Sequence, residues 1–161
     1  MAKYVQLVVF GVGRELYGVG IEVVHEIVRV PSVTEVPDAP EFFEGVINLR
    51  GKIIPVIDLG KRLRLQQAER TRSARVLITE NKGLLVGLIV DSVAEVLKLL
   101  PEAIEEPPQM VASVGVEYIT GVAKVKERLV ILLNLDRVLS VEDMKKIGST
   151  VDSALAATQA A

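Results

Sequence analysis

The chain has 161 residues, is 50% hydrophobic and 25% charged, and carries a net charge of −2, which fits neither a disordered chain nor a membrane span. Cysteine is absent and His25 is the one histidine, so disulfides, thiol nucleophiles, iron–sulfur clusters and Cys/His zinc sites are excluded, and a serine–histidine triad would have to use His25. With 21 acidic against 19 basic residues and 4% aromatics, no basic stripe or stacking platform speaks for nucleic acid.

The apolar mass is aliphatic: 27 Val, 19 Leu and 12 Ile against three Phe, three Tyr and no Trp, a balance that favours strands. The opening Met-Ala-Lys-Tyr-Val-Gln lacks the apolar core of a signal peptide, and no apolar run approaches roughly 18 residues. The expectation is a soluble, intracellular protein. Val5 to Phe10 reads as a strand that turns through Gly11-Val-Gly13 into Glu15 to Val19, a hairpin. Ile21 to His25 reads as one amphipathic helical turn leading into another strand. A second hairpin turns at Arg50-Gly51-Lys52 and leaves through Ile53 to Leu59, a run apolar enough for a strand buried on both faces.

The same order then recurs. Arg75 to Thr79 turns through Glu80-Asn-Lys-Gly83 into Leu84 to Val90, followed by a short amphipathic stretch over Val90 to Ala94. Lys126-Glu127-Arg128 turns into the apolar run Leu129 to Leu135. Residues 45–63 and 121–139 align without a gap, sharing Gly45/Gly121, Val46/Val122, Leu59/Leu135 and Leu63/Leu139. Residues 7–30 align with 76–99, sharing Leu16/Leu85, Gly18/Gly87, Val24/Val93 and Glu26/Glu95. The offsets, 76 and 69, imply a seven-residue insertion in the second half around Pro101 to Met110.

The chain therefore reads as a duplicated unit of about 65 residues, with repeats at about 4–65 and 75–140 inside one domain spanning 1–140. Five short strands per unit close best as a small barrel. A barrel that small has a thin core, so two packed through an aliphatic seam are expected. Ser140-Val-Glu-Asp143 resembles a capping box, predicting a helix over 141–147. The tail from Gly148 to Ala161 reads as a frayed helix or a disordered stretch, so that 141–161 form a C-terminal helix and flexible tail.

Candidate chemistry is sparse. Gly11-Val-Gly13-Arg-Glu-Leu16 fails the dinucleotide fingerprint, because Leu16 replaces the third glycine and no helix follows. His25 stands near Glu22 and Glu26, but carboxylates at those spacings do not converge on one face, and Ala94 replaces His25 in the second repeat; a solvent-facing histidine is the simpler reading. Asp58 and Asp91 border apolar strands and align with Asn134 and Glu22, which suits turn capping better than shared proton chemistry. Arg62, Arg64, Arg70, Arg72 and Arg75 read as a solvated linker between the repeats. Asn48-Leu-Arg50-Gly51 allows two readings. In one, Arg50 is a solvated turn residue; in the other it is a fixed multi-donor contact for an acidic group such as Glu26.

Residues 45–59, GVINLRGKIIPVIDL, resemble the signature segment of the CheW family of bacterial chemotaxis coupling proteins. Tyr17-Gly-Val-Gly-Ile21, Val24-His-Glu-Ile27, Val86-Gly-Leu-Ile-Val-Asp91, Val93-Ala-Glu-Val96 and Glu117-Tyr-Ile-Thr-Gly121 extend the resemblance over about residues 4–147. It implies an all-β fold of two SH3-like five-stranded barrels with short helices and a C-terminal helix. It implies a non-catalytic adaptor, without a cofactor or metal, that links the cytoplasmic tips of chemoreceptors to the regulatory domain of the histidine kinase CheA at receptor arrays on the inner face of the membrane. CheW–CheW contacts in the array are implied as well. No nucleic-acid partner and no direct membrane insertion are expected.

Carried over by position, the resemblance puts Val24, Glu26, Ile27 and Arg50 in a receptor-binding groove, joined by Val93 and Val96 at the equivalent repeat positions. It makes Gly45, Asn48, Arg50 and Gly51 the signature turn, and suggests Gln109 and Met110 for a kinase or ring interface. The competing readings are a small ligand- or peptide-binding barrel protein, or a weak hydrolase using His25 with Glu22 or Glu26.

Overall fold

In the computed structural model, the structure describes residues 3–37, 39–63, 70–81, 83–106, 118–140 and 145–149. The first repeat holds strands β1 (Val5–Val12), β2 (Glu15–Gly20), β3 (Val24–Arg29), β4 (Phe43–Leu49) and β5 (Lys52–Asp58). The second holds β6 (Arg75–Asn81), β7 (Leu84–Val90), β8 (Ser92–Leu99), the two-residue β9 (Ile104–Glu105), β10 (Ile119–Val125) and β11 (Arg128–Leu133). Short helices α1 (Leu59–Arg62) and α2 (Leu135–Val138) follow β5 and β11, and residues 145–149 form a last helical turn, α3. The start of the expected C-terminal helix, 141–144, and the tail from 150 lie outside the described residues.

The strands form two sheets, ordered β8-β1-β2-β11-β10-β9 and β3-β6-β7-β5-β4. The architecture is all-β and SH3-like, as expected, but neither sheet is built from one repeat. The β1–β2 hairpin of the first repeat lies between β8 and β11 of the second, antiparallel to one and parallel to the other. The β6–β7 hairpin lies likewise between β3 and β5. Each repeat thus lends its first hairpin to the other. Apart from the two-residue β9, which makes the first sheet six-stranded rather than five, both sheets have one order: third strand of a repeat, borrowed hairpin, last strand, and the strand before it.

The repeat glycines are where this exchange needs them. On β7, Gly87 faces Val56 of β5 across the parallel pairing, and a Cβ there would stand 2.6 Å from both Val56 Cγ1 and Val76 Cγ1. Its counterpart Gly18 faces Leu132 of β11, where a Cβ would stand 3.2 Å from Leu132 Cδ2 and Val130 Cγ1. A side chain at Gly87 would collide with Val56 and Val76 on the two flanking strands, whereas one at Gly18 would press on Leu132 and Val130 more lightly.

Each sheet encloses its own small core: Ile47, Ile54, Val56, Val76, Ile78 and Ile89 in one, Leu7, Val9, Ala123, Val130 and Leu132 in the other. A larger central cluster draws Phe10 and Tyr17 from one sheet and Ile57, Leu77 and Leu88 from the other. This is the expected aliphatic seam, and it uses the opposite faces of the strands that line the two small cores.

Strand ends differ from expectation in three places. The apolar runs through Leu59 and Leu135 do not end as strands. Asp58 accepts a hydrogen bond from Lys61 N (3.0 Å) and Asn134 from Asp136 N (3.0 Å), so both act as helix caps. Leu59 and Leu135 therefore begin α1 and α2. The first amphipathic stretch forms a 3₁₀ turn at Ile21–Val23, but the second forms no helix. There the backbone bends at Asp91, whose Oδ2 accepts from Gly13 N (2.7 Å) and whose N–H donates to Gly11 O (2.9 Å). Three arginines of the expected solvated linker are engaged instead, while Arg64 lies outside the described residues. Arg70 reaches Asp58 at 3.1 Å, Arg75 donates to the Arg72 and Ala74 carbonyls, and Arg62 crosses to Val138.

Candidate functional site

The signature turn is a two-residue hairpin connection whose central residues both have positive φ, 51° at Arg50 and 87° at Gly51. That geometry matches the right-handed twist of β4 and β5. Asn48 Oδ1 accepts from Gly51 N at 2.9 Å and closes the turn. Lys126, the repeat counterpart of Arg50, adopts φ 58°, so both hairpins place a cation in the left-handed region. Gly45 has φ 146°, and a Cβ there would stand 2.1 Å from the Thr34 carbonyl oxygen. Thr34 pairs with Val46 through two backbone hydrogen bonds, so Gly45 lets this segment close against β4.

The turn aims Arg50 at β3, where its Nη2 makes an ion pair with Glu26 Oε1. Glu26 is the more enclosed partner, with 31% of its side chain exposed against 71% for Arg50. Arg50 thus meets Glu26 through one guanidinium nitrogen while most of its side chain stays in solvent. β3 is an edge strand, and its pairing with β6 slips between Val24 and Glu26, leaving His25 as the extra residue of a bulge. The bulge turns His25 outward to Glu80, 2.7 Å away on β6. Neither Glu22 nor Glu26 holds it, so the carboxylates suggested by sequence proximity are not its partners. Glu80 lies 55 residues downstream, and no local pattern could have found it.

Ile27 follows on β3 and is 39% exposed; Val96, its counterpart on edge strand β8, is 53% exposed. Val24 and Val93, also counterparts, both pack against the central cluster. The structure thus joins Glu26 to Arg50 and sets Val24 and Val93 on one cluster. Ile27 and Val96 stand out on the edges of different sheets. A cavity of about 410 Å³ opens elsewhere, lined by Leu7, Val19, Glu22, Val23, Leu132 and Asp136 among others; none of the expected groove or signature-turn residues lines it, and Glu22 does so without His25. Gln109 and Met110 lie outside the described residues.

Among the described residues, no group of three His, Cys, Asp or Glu side chains is placed to hold a metal ion. Nor is any helix among them long and apolar enough to cross a membrane.

Residues 6–143 match the family model described as CheW-like domain. The chain belongs to the CheW-like family. It is 37% identical over 150 residues to the chemotaxis protein CheW of Treponema pallidum (strain Nichols), a match covering 89% of this chain and 87% of that one. It is 34% identical over 148 residues to the chemotaxis protein CheW of Klebsiella aerogenes, covering 92% and 89%. The crystal structure of the scaffolding protein TtCheW from Thermoanaerobacter tengcongensis superposes with a TM-score of 0.81 at 40% identity, covering 89% of this chain and 92% of that one. The family is one of chemotaxis scaffold and adaptor proteins, and the SH3-like all-β architecture is shared with the TtCheW structure.

Proposed function

We propose that this chain is a non-catalytic adaptor that couples the cytoplasmic tips of chemoreceptors to the regulatory domain of the histidine kinase CheA. In this reading it works in the cytoplasm, within receptor arrays at the inner face of the membrane, with CheW–CheW contacts among its array interactions. Membership of a chemotaxis scaffold family supports the reading. The observation that carries it to particular residues is the Glu26–Arg50 ion pair beside exposed Ile27 on edge strand β3.

The physical logic is helix-in-groove recognition. Val24, Ile27, Val93 and Val96 supply aliphatic area against the apolar stripe of a receptor helix. The ion pair adds a charged landmark that sets register and rejects mismatched partners more than it adds affinity. The signature turn Gly45, Asn48, Arg50, Gly51 fixes the backbone from which Arg50 reaches Glu26, so less ordering is left for binding to impose. Gln109 and Met110 are proposed contacts to the kinase or to a neighbouring ring member.

Capture assays with receptor tips and kinase test the groove assignment. Arg50→Ala and Glu26→Ala should each weaken receptor capture while the protein stays folded. Undiminished capture by both variants would overturn the assignment.

A further inference from the structure

Under a twofold relation, residues near the axis meet their own counterparts. The repeat gives this chain an approximate twofold, and two sets of contacts show where its axis passes. Phe42 and Tyr118 are 76 residues apart, the offset that aligns residues 45–63 with 121–139, and play one backbone role. Phe42 O accepts from Asp58 N (2.8 Å), and Tyr118 O accepts from Asn134 N (2.9 Å). Arg62 and Val138 have the same 76-residue relation. Arg62 Nε donates to Val138 O at 2.6 Å. Its guanidinium lies over both counterpart rings, 4.6 Å from the centre of Phe42 and 5.5 Å from that of Tyr118. Two pairs of counterparts therefore meet at one side chain.

We propose that Arg62 sits at the pseudo-twofold axis as a positioning residue. It pins α1 of one half to α2 of the other and so sets the angle between the two sheets. That angle determines how edge strands β3 and β8 present Ile27 and Val96. The consequence for partner binding rests on the adaptor reading above. A strictly repeated arginine would bring two like charges together at the axis, and Val138 in the second half removes that conflict. One arginine then serves both halves. Its planar guanidinium can stack on rings and donate from Nε together, which a lysine ammonium cannot do.

The chain has no cysteine, so spin labels at Lys52→Cys on β5 and Lys124→Cys on β10 would report the distance between the sheets. In that labelled background, Arg62→Ala and Arg62→Lys should both shift or broaden the distance distribution. Without the labels, the same variants should lose receptor-tip capture several-fold. If Arg62→Ala does not fold, Phe42→Leu and Tyr118→Leu each remove one ring and should broaden the distribution more mildly. An unchanged distribution in the folded variants, or a lysine that restores the wild-type distribution, would overturn the proposal. So would a broadened distribution with wild-type capture. Failure of the wild-type protein to capture receptor tips would instead count against the adaptor reading, leaving the distance measurement to judge the pin.

Discussion

Tyr17 lies in the central cluster, stacked on Phe10 with ring centroids 6.3 Å apart, and its buried hydroxyl has no hydrogen-bond partner among the described residues. Burial, reinforced by the Glu15 charge, pushes its pKa up to about 12. In the unfolded chain the phenol ionises near its ordinary value of about 10. The unfolded state therefore gives up this proton first, and the stability it provides is intact below about pH 10 and lost as pH rises toward 12. Tyr17→Phe removes an unpaired polar atom and should be neutral or stabilising by about 1 kcal/mol at pH 7. It should also remove about 2–3 kcal/mol of alkaline destabilisation. Chemical denaturation of both proteins from pH 7 to 12 measures the two effects. At the surface the ledger differs. An exposed ion pair contributes about 0–1 kcal/mol, so Glu26→Ala should leave the denaturation midpoint nearly unmoved, separating a binding role from a folding one.

Among the elements, the hairpins were legible because glycine and alternation act locally. Gly13 and Gly51 carry the positive φ of their turns, and β7 runs Leu84–Val90 as its apolar pattern predicts. The helices α1 and α2 were hidden inside apolar runs, since the only signal was a cap residue, Asp58 or Asn134, whose effect depends on where the strand stops. Within the candidate site, Arg50 and Glu26 were legible as a possible contact because the turn fixes one and the edge strand the other. Glu80 was not, because the register of β3 on β6 decides it. The repeat glycines lead to a graded prediction. Gly87→Ala must displace two buried valines at 2.6 Å, whereas Gly18→Ala meets its neighbours at 3.2 Å. Overpacking of this kind costs about 1–3 kcal/mol, with Gly87→Ala expected to be the more destabilising of the two in urea denaturation.

At the scale of the whole molecule, the aliphatic, cysteine-free composition serves three cores, one within each sheet and one between them. The duplication was readable in the sequence, but the exchange of hairpins was not. Alignment shows which segments are alike, not which copies pair, and the parallel pairings β2–β11 and β5–β7 join distant parts of the chain. The exchange predicts that neither half is a folding unit. Residues 1–69 and 70–161 expressed apart should each lack the cooperative transition of the whole chain, and mixing them should restore β structure by circular dichroism; two independently folded halves would contradict this topology. The same interlocking suits a scaffold, because it holds edge surfaces of both sheets in one rigid relation. The central claim is that this chain transmits receptor state to a kinase without chemistry of its own, and reconstitution tests it most directly. Kinase autophosphorylation would be measured with receptor tips, with and without this protein. The account predicts that kinase activity comes under receptor control only when the protein is present, and that Arg50→Ala reduces that control; receptor control that is the same with and without the protein would contradict it.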